Sequence, residues 1–399
     1  MSAPGSLADT HTVRSPGHVE YGTGAVAALE SFATDHAADT ALLVTDDHLS
    51  SSGVIDAPRA RLEAAGLDVA VYDGVVPEPK LSMVESAAAR IRDAGDVLVV
   101  GVGGGSSMDT AKLAATAATA DESPRELLGR DNVSGRSVPL ALVPTTAGTG
   151  SEVTDVGVFA DDRDGGAKKV AFSPHLFADL AAVDPDLTKT MPPSVAAATG
   201  LDALTHAVES YVSLDRTPYT DTLARRAVEL VAENLRPAVA QGEHNDAARA
   251  RMSLAATLAG QAFINSGLGA VHALTYPLGM ECDLGHGLAN GVLLPHVMAY
   301  NVPAEIERFA GVASLLGAER RPGESTRAFA SRSVDAVFDL LSDVDVPTSI
   351  AAYGEFDRAT FERFADIAFE HSAHNIAANP RRMDRGDVVS VFESAAAGR

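Results

Sequence analysis

Segments typical of β-strands alternate with helical segments through the first half of the chain, and this alternation restricts the fold more than any other feature. Apolar strands are expected at 41–45, 69–72, 97–100 and 140–143, and helices at 55–65, 81–94 and 107–120. Parallel strands buried on both faces need helices on both sides, so the pattern predicts an α/β fold with a parallel sheet. A short strand pair over 13–24 and a helix over 25–35 are expected before it.

A glycine-rich stretch follows the strand at 97–100. It contains the consecutive residues Gly103, Gly104, Gly105 and Ser106, and then Asp109. Three glycines let backbone N–H groups approach a phosphate, and the helix that follows adds its positive N-terminus. The stretch lacks the lysine of a P-loop and the third glycine of the usual dinucleotide fingerprint. A phosphate-binding loop is predicted, and a tight strand-to-helix turn is the alternative.

A second stretch of small and hydroxyl-bearing residues, 144–152, follows the strand at 140–143. Its Thr145, Thr146 and Thr149 can hydrogen-bond a ribose or a phosphate. Ligands of open parallel sheets bind in the crevice at the carboxyl ends of the strands. Two such loops therefore predict one shared ligand, and a dinucleotide fits the length of that crevice; a plain polar loop is the alternative.

Two further positions in this half are candidate cofactor residues. Asp46 ends the strand at 41–45, where a carboxylate can bind a ribose 2′-hydroxyl and repel a 2′-phosphate, which favours NAD over NADP. A helix N-cap is the alternative role. Lys168 and Lys169 form the only lysine pair, after an expected turn at 161–166, and Lys169 is a candidate neighbour of the cofactor. A solvated turn is the alternative there.

The second half of the chain has a different pattern. After Pro192 and Pro193 only helical periodicity and long alanine-rich runs occur. Two prolines are a reasonable domain boundary. We therefore predict an α/β domain over residues 1–192 and an all-helical domain over 193–399.

Four residues of the helical half form a candidate metal site. Asp202 and His206 are four apart in a predicted helix and so share one face, and His272 and His286 lie further along the chain. One carboxylate and three imidazoles can hold a divalent cation and leave a position for substrate. Four unrelated polar residues are the alternative.

The charge balance restricts the partners and the setting of the protein. Lys and Arg total 31 against 54 Asp and Glu, a net charge of −23, which argues against nucleic acid and against an anionic membrane surface. Only five lysines occur and the acidic residues are spread along the chain, so a salt-rich, halophilic cytosol is our hypothesis, with an ordinary acidic protein as the alternative.

The remaining composition favours a cytoplasmic protein. The lone cysteine, Cys282, excludes an internal disulfide and is interpreted as a small core residue. No apolar run is long enough to cross a bilayer, and residues 1–12 are polar, without the apolar core of a signal peptide.

The order of these motifs resembles the iron-containing (group III) alcohol dehydrogenase family from about Val13 to Val389. The motifs are Gly-Gly-Gly-Ser-x-x-Asp, Pro-Thr-Thr-Ala-Gly-Thr-Gly-Ser-Glu, Thr-Gly-x-Asp-Ala-x-x-His-Ala-x-Glu, Gly-x-x-His-Ala-x-x-x-Pro-Leu-Gly and His-Gly. The resemblance implies a Rossmann-like dinucleotide-binding domain followed by an all-helical metal-binding domain, a dehydroquinate synthase-like architecture with the active site in the cleft between them.

The resemblance also implies a chemistry and the residues for it. It assigns Asp202, His206, His272 and His286 as the metal ligands and catalytic centre, the two loops with Asp46 and Lys169 as the NAD site, and Fe2+ as the metal, with Zn2+ or Mn2+ as alternatives. The implied activity is reversible hydride transfer between a small alcohol, aldehyde or ketone and NAD, in a homodimer or larger assembly. Glycerol or hydroxyacid dehydrogenases, maleylacetate reductases and dehydroquinate synthase-like lyases are the alternatives.

Two positions depart from the family pattern. Many members carry a second histidine four residues after the third ligand, where this chain has Tyr276, a poorer proton relay near neutral pH. Many members also carry asparagine at the position of Glu78.

Overall fold

The computed structural model describes residues 9–164, 167–282 and 284–399. The chain forms two compact units, one spanning Arg14–Thr190 and the other containing Met191–Arg399. The predicted turn at 161–166 includes Gly165 and Gly166, which lie outside the described residues.

The first unit is built on parallel strands with helices between them. Its strands are β1 (His18–Tyr21), β2 (Thr40–Asp46), β3 (Asp68–Val75), β4 (Val97–Gly103), β5 (Gly129–Arg130), β6 (Leu140–Pro144), β7 (Val156–Asp161), β8 (Ala167–Phe172) and β9 (Leu180–Val183). Its helices are α1 (Ala28–His36), α2 (Asp47–Ser51), α3 (Asp56–Ala64), α4 (Leu81–Ala94) and α5 (Gly105–Ala117). Six strands form a fully parallel sheet in the order β1-β9-β6-β4-β2-β3.

Both faces of this sheet are covered, as the uniformly apolar strands require. Every residue of β4 is buried. One apolar core contains Val84 and Ile91 of α4 with Leu113 of α5, and a separate core contains Leu29 of α1 and Leu62 of α3. The prediction of a parallel α/β sheet is therefore confirmed.

Three details of the first unit differ from the prediction. The strand pair expected at 13–24 is a single strand, β1, which pairs in parallel with β9 far along the chain. A small second sheet, β5-β8-β7, was not predicted; in it β7 and β8 are antiparallel. The helix expected at 107–120 is shifted: α5 begins at Gly105, directly after its N-cap Gly104, and ends at Ala117.

The second unit is helical throughout its described residues. Its helices are α6 (Pro193–Val212), α7 (Pro218–Gln241), α8 (Asp246–Ser266), α9 (Ala270–Cys282), α10 (His286–Asn301), α11 (Ile306–Leu315), α12 (Thr326–Asp343), α13 (Arg358–Ala378) and α14 (Arg385–Ala397). Helix α6 packs against α7, α8 and α10, and residues 200–212 are all buried. The predicted helical half is confirmed, and α6 is its central element.

No single helix in the described ranges is both long enough and apolar enough to cross a membrane. Helices α8 and α9 meet the length and composition requirement only as a pair, and the chain bends by 106° between them.

Candidate functional site

Helix α6 carries the first two residues of the candidate metal site. Asp202 and His206 lie one turn apart on the same face, and their residues are 2% and 4% exposed. The ring of Phe263, from α8, stacks on the ring of His206 with a centroid distance of 4.5 Å. This apolar wall limits the orientations open to the imidazole.

The third and fourth residues come from the starts of two later helices. His272 lies in the first turn of α9, and His286 is the first residue of α10. A Cβ at Gly287 would lie 2.4 Å from the backbone oxygen of Ala198, so only glycine lets the start of α10 approach α6 this closely. The glycine after His286 thus brings that histidine to Asp202.

The structure brings all four side chains to one point. One ligand atom from each of Asp202, His206, His272 and His286 lies within 4.8 Å of all the others. Asp202 Oδ1 is 3.8 Å from Nε2 of His206 and from Nε2 of His286. The rings of His206 and His272 stack at 4.8 Å. Three nitrogens and one oxygen without a thiolate match the donor preferences of Fe2+, Zn2+ or Mn2+.

The burial of this cluster is uneven. Asp202, His206 and His272 are buried, whereas the His286 side chain is 49% exposed. Burial alone would raise the pKa of Asp202, but the charges of the three histidines and the amide of Asn290 outweigh it and lower that pKa. The carboxylate is therefore held in its anionic form, as a cation ligand must be.

Asn290, which the sequence analysis did not select, also belongs to this cluster. Its Nδ2 lies 2.8 Å from Asp202 Oδ1 and 3.1 Å from Nε2 of both His272 and His286. Its Oδ1 accepts a hydrogen bond of 2.6 Å from Thr275, which orients the amide nitrogen toward the ligand atoms. Its position four residues after His286, on the same helix face, was the signal available in the sequence.

The two loops of the first unit lie side by side. They follow β4 and β6, which are neighbours in the sheet, and β2, which ends at Asp46, flanks β4 on its other side. The backbone N–H of Thr145 donates to the oxygen of Gly103 over 3.0 Å. All three strands are parallel, so the predicted cofactor residues that follow them share one edge of the sheet.

The structure explains why glycine occupies two positions of the first loop. Gly103 has a φ of +150°, and a Cβ there would lie 2.6 Å from Ser107 Oγ. Gly104 is the N-cap of α5 and leaves the helix start without a side-chain cap. Such an N-terminus is suited to an anion.

Two hydroxyl groups near the strand ends are suited to a polar ligand. The oxygens Oγ1 of Thr45, in β2, and of Thr146 are buried and have no hydrogen-bond partner within the described ranges. Buried hydroxyls are normally hydrogen-bonded, so these two oxygens keep a hydrogen-bonding capacity that the described residues do not use. Together with the glycine loop they fit a dinucleotide.

Asp109 is placed differently from the other predicted loop residues. Its Oδ1 accepts a hydrogen bond of 2.6 Å from Ser151, and its Oδ2 accepts one of 3.0 Å from the backbone of Val158. The buried ammonium of Lys112 lies 3.5 Å from Oδ1. The carboxylate thus joins α5 to the second loop and to β7.

Asp46 and Lys169 also have partners within the chain. Asp46 Oδ1 accepts a hydrogen bond of 2.8 Å from the backbone of Leu49, as the N-cap of α2. Lys169 Nζ pairs with Asp164 at 3.0 Å, and Lys168 Nζ pairs with Glu78 at 2.5 Å. Glu78 has a φ of +56°, which is costly for a residue with a side chain.

Tyr276 lies one turn after His272 on α9. Its ring stacks on His371 of α13 with a centroid distance of 4.9 Å. The structure thus places an imidazole beside the tyrosine that departs from the family pattern.

The structure combines a parallel α/β unit, whose two loops are suited to phosphate groups, with a helical unit that gathers one aspartate and three histidines. This combination defines a class of two-unit proteins that resemble dehydrogenases. Two family models match the chain. The model described as iron-containing alcohol dehydrogenase matches residues 16–185, and that of the Fe-containing alcohol dehydrogenase family, C-terminal, matches residues 196–396. The chain belongs to the iron-containing alcohol dehydrogenase family.

Individual relatives resemble the chain over nearly its whole length. Long-chain-alcohol dehydrogenase 1 of Geobacillus thermodenitrificans is 40% identical over 90% of this chain and 89% of its own. A 1,3-propanediol dehydrogenase of Klebsiella pneumoniae is 40% identical over 89% of this chain and 91% of its own. A solved 1,3-propanediol oxidoreductase superposes with a TM-score of 0.93 at 37% identity, covering 97% of this chain and 100% of that one.

Proposed function

We propose that the protein is a metal-dependent alcohol dehydrogenase that transfers hydride reversibly between a small alcohol and NAD. The convergence of four ligand atoms within 4.8 Å in the helical unit carries this proposal. Membership of the iron-containing alcohol dehydrogenase family supports it. When bound, a divalent cation supplies a Lewis acid for the alcohol oxygen, and a nicotinamide supplies the hydride acceptor.

The residues of the helical unit would hold the cation and control access to it. Asp202 supplies the only negative charge of the ligand set, and His206 and His272 close its buried side. The half-exposed His286 marks the side open to a small molecule. We propose Fe2+ as the metal because the chain belongs to the iron-containing family. Donors that are all nitrogen or oxygen leave Zn2+ and Mn2+ as alternatives.

The residues of the α/β unit would bind the cofactor. We propose that the N–H groups of residues 103–106 and the hydroxyls of Thr145, Thr146 and Thr149 hold the pyrophosphate and ribose groups. Asp46 Oδ1 already caps α2, so its other oxygen would accept a ribose hydroxyl and disfavour NADP. Lys169 is proposed as a neighbour of the cofactor.

A panel of alcohols and carbonyl compounds tests this function. We expect NADH to appear with short alcohols or diols, to disappear with the matching aldehydes, and to do neither after the metal is removed. Readdition of Fe2+, Zn2+ or Mn2+ identifies the metal that restores turnover, and NADP in parallel tests the role of Asp46. Full turnover of a metal-stripped sample would refute the proposal. Because the relatives include long-chain-alcohol and 1,3-propanediol dehydrogenases, the panel should span both chain lengths.

We also propose that the protein works in a salt-rich cytosol. The net charge is −23, and the excess acidic side chains repel one another unless ions screen them. The screening length falls from about 10 Å at 0.1 M salt to about 3 Å at 1 M. We expect the thermal midpoint of unfolding to rise with KCl and to be lowest in dilute buffer. Sucrose at matched water activity controls for preferential exclusion. Equal midpoints in dilute buffer and in concentrated KCl would contradict this proposal.

A cytoplasmic homodimer or larger homo-oligomer completes the proposal, as is common in the family that the chain resembles. Light scattering of the purified protein tests the assembly, and a monomer at micromolar concentration would refute it. Cell fractionation tests the location.

A further inference from the structure

Helix α6 carries a third buried residue on the face that holds Asp202 and His206. Glu209 lies seven residues after Asp202 and three after His206, a spacing that keeps all three on one side of the helix. Glu209 is 4% exposed. A buried carboxylate this close to a metal centre needs hydrogen-bond donors, and both of its oxygens have one.

Both donors to Glu209 come from the start of α9. Oε2 lies 2.6 Å from Nδ1 of His272, and Oε1 accepts a hydrogen bond of 2.6 Å from the backbone of Val271. The carboxylate therefore binds both the ring of His272 and the backbone N–H of Val271, at the start of the same helix. It also places a negative charge at the positive end of α9.

This contact decides which nitrogen of His272 faces the metal centre. A carboxylate only accepts hydrogen bonds, so Nδ1 carries the proton and donates it to Glu209. Nε2 then keeps its lone pair, and this is the atom that lies near Asn290 and the other ligand atoms. Metal-binding histidines are commonly oriented in this way by a partner on the second ring nitrogen.

Gly269, just before α9, shows how tightly this carboxylate is enclosed. A Cβ at Gly269 would lie only 2.8 Å from Oε1 of Glu209. Any side chain there would have to displace the carboxylate or the turn. The two positions are therefore coupled, and Gly269 offers a way to disturb the contact without removing the charge.

We propose that Glu209 is a positioning residue that fixes the ring and tautomer of His272 for the cation, an inference that rests on the proposed metal centre. Glu209→Ala removes both acceptors. Glu209→Gln leaves one acceptor for two N–H donors. Gly269→Ala keeps the carboxylate and shifts it.

The test measures metal release to a chelator from each loaded variant, together with the thermal midpoint with and without metal. We expect release to be about 10- to 100-fold faster in Glu209→Ala, with a smaller increase in Glu209→Gln and Gly269→Ala. The rise in midpoint that metal produces should shrink in the same order, while NAD affinity stays at the wild-type value. Glu305→Gln is the matched control, because Glu305 pairs with Arg216 at 3.1 Å in the same unit.

The outcomes separate this inference from the proposed function. A wild-type protein that retains no divalent cation refutes the metal centre itself. A wild-type protein that retains the cation, with variants that release it at the same rate, refutes the role of Glu209 alone. The metal-free variants could instead have a lower thermal midpoint while metal raises it by the same amount as in the wild type. That result also refutes the role of Glu209, because it is the result expected for a purely structural residue. If Glu209→Ala does not fold, the other two variants still decide the matter.

Discussion

The His272→Ala protein is expected to bind NAD normally and to turn over no alcohol. His272 is buried, stacks on His206, and is one of four residues whose ligand atoms converge. Its loss removes a ligand from the closed side of the centre, where no bulk water can replace it. A Lewis acid lowers such barriers by several kcal/mol, so we expect turnover to fall by at least about a thousandfold.

Two comparisons make this result specific. His296→Gln removes another buried histidine of the same unit, one whose ring contacts Ser394 and Thr348; metal content and turnover should survive. His286→Ala should lose less metal than His272→Ala, because the His286 side chain is half exposed and water can take its place. Metal analysis, NAD titration and alcohol oxidation on one preparation check all three variants. Turnover by a metal-depleted His272→Ala protein would overturn the proposed mechanism.

The parts of the fold that the sequence predicted are those with strong local signals. Strands β2, β4 and β6 are short, continuous apolar runs bounded by glycine, proline or aspartate. This sequence pattern is typical of buried strands. The long helices of the second unit have the matching helical periodicity. In such elements the local sequence pattern favours the same structure as the tertiary environment does. The sequence alone is therefore enough to predict them.

The elements that the sequence did not predict depend on distant partners. Strand β1 is largely exposed and lacks an apolar pattern, and its pairing with β9 is fixed only by the finished sheet. Strand β5 has two residues, too few for any periodicity, and it exists because β8 passes beside it. Long-range pairing is a property of the packed unit, and no window of sequence contains it.

The candidate metal site shows the same division. Asp202, His206, His272 and His286 could be selected because their residue types and order carry chemical meaning. Glu209 ends the motif that contains Asp202 and His206, but the motif alone gave it no role, and Asn290 lies in none of the motifs. Each acts through contacts with the four candidate ligands. Their spacing from His206 and His286 along a helix face is a further sequence signal, and many core residues share that spacing.

Lys112 is the most informative residue that the sequence analysis passed over. Lysines are rarely buried, yet this one is 0% exposed within α5. Its Nζ donates to Ser151 Oγ at 2.7 Å, to the oxygen of Val156 at 2.9 Å and to Thr154 Oγ1 at 3.1 Å. Burial lowers the pKa of Lys112, and the nearby carboxylates of Asp109 and Glu152 oppose that shift. The ammonium thus joins the helix after the first loop to the end of the second loop.

The Lys112→Met protein is expected to be much less stable than the wild type. Methionine fills a similar space but donates no hydrogen bond, so the acceptors on Ser151, Thr154 and Val156 lose their donor and Asp109 loses its partner. Removing one partner of a buried ion pair costs about 3–5 kcal/mol. NAD affinity should fall as well, because Ser151 belongs to the second loop and Asp109 to the first.

Lys189→Met is the matched control for this variant. Lys189 pairs with Asp186 at 3.0 Å on the surface of the same unit, where an ion pair contributes about 0–1 kcal/mol. Denaturant unfolding and NAD titration of both variants provide the comparison. If Lys112→Met unfolded at the same denaturant concentration as Lys189→Met, the buried ammonium would contribute little to the fold. The close approach of the two loops would then have to come from the backbone bond between Thr145 and Gly103 and from the packing of the sheet.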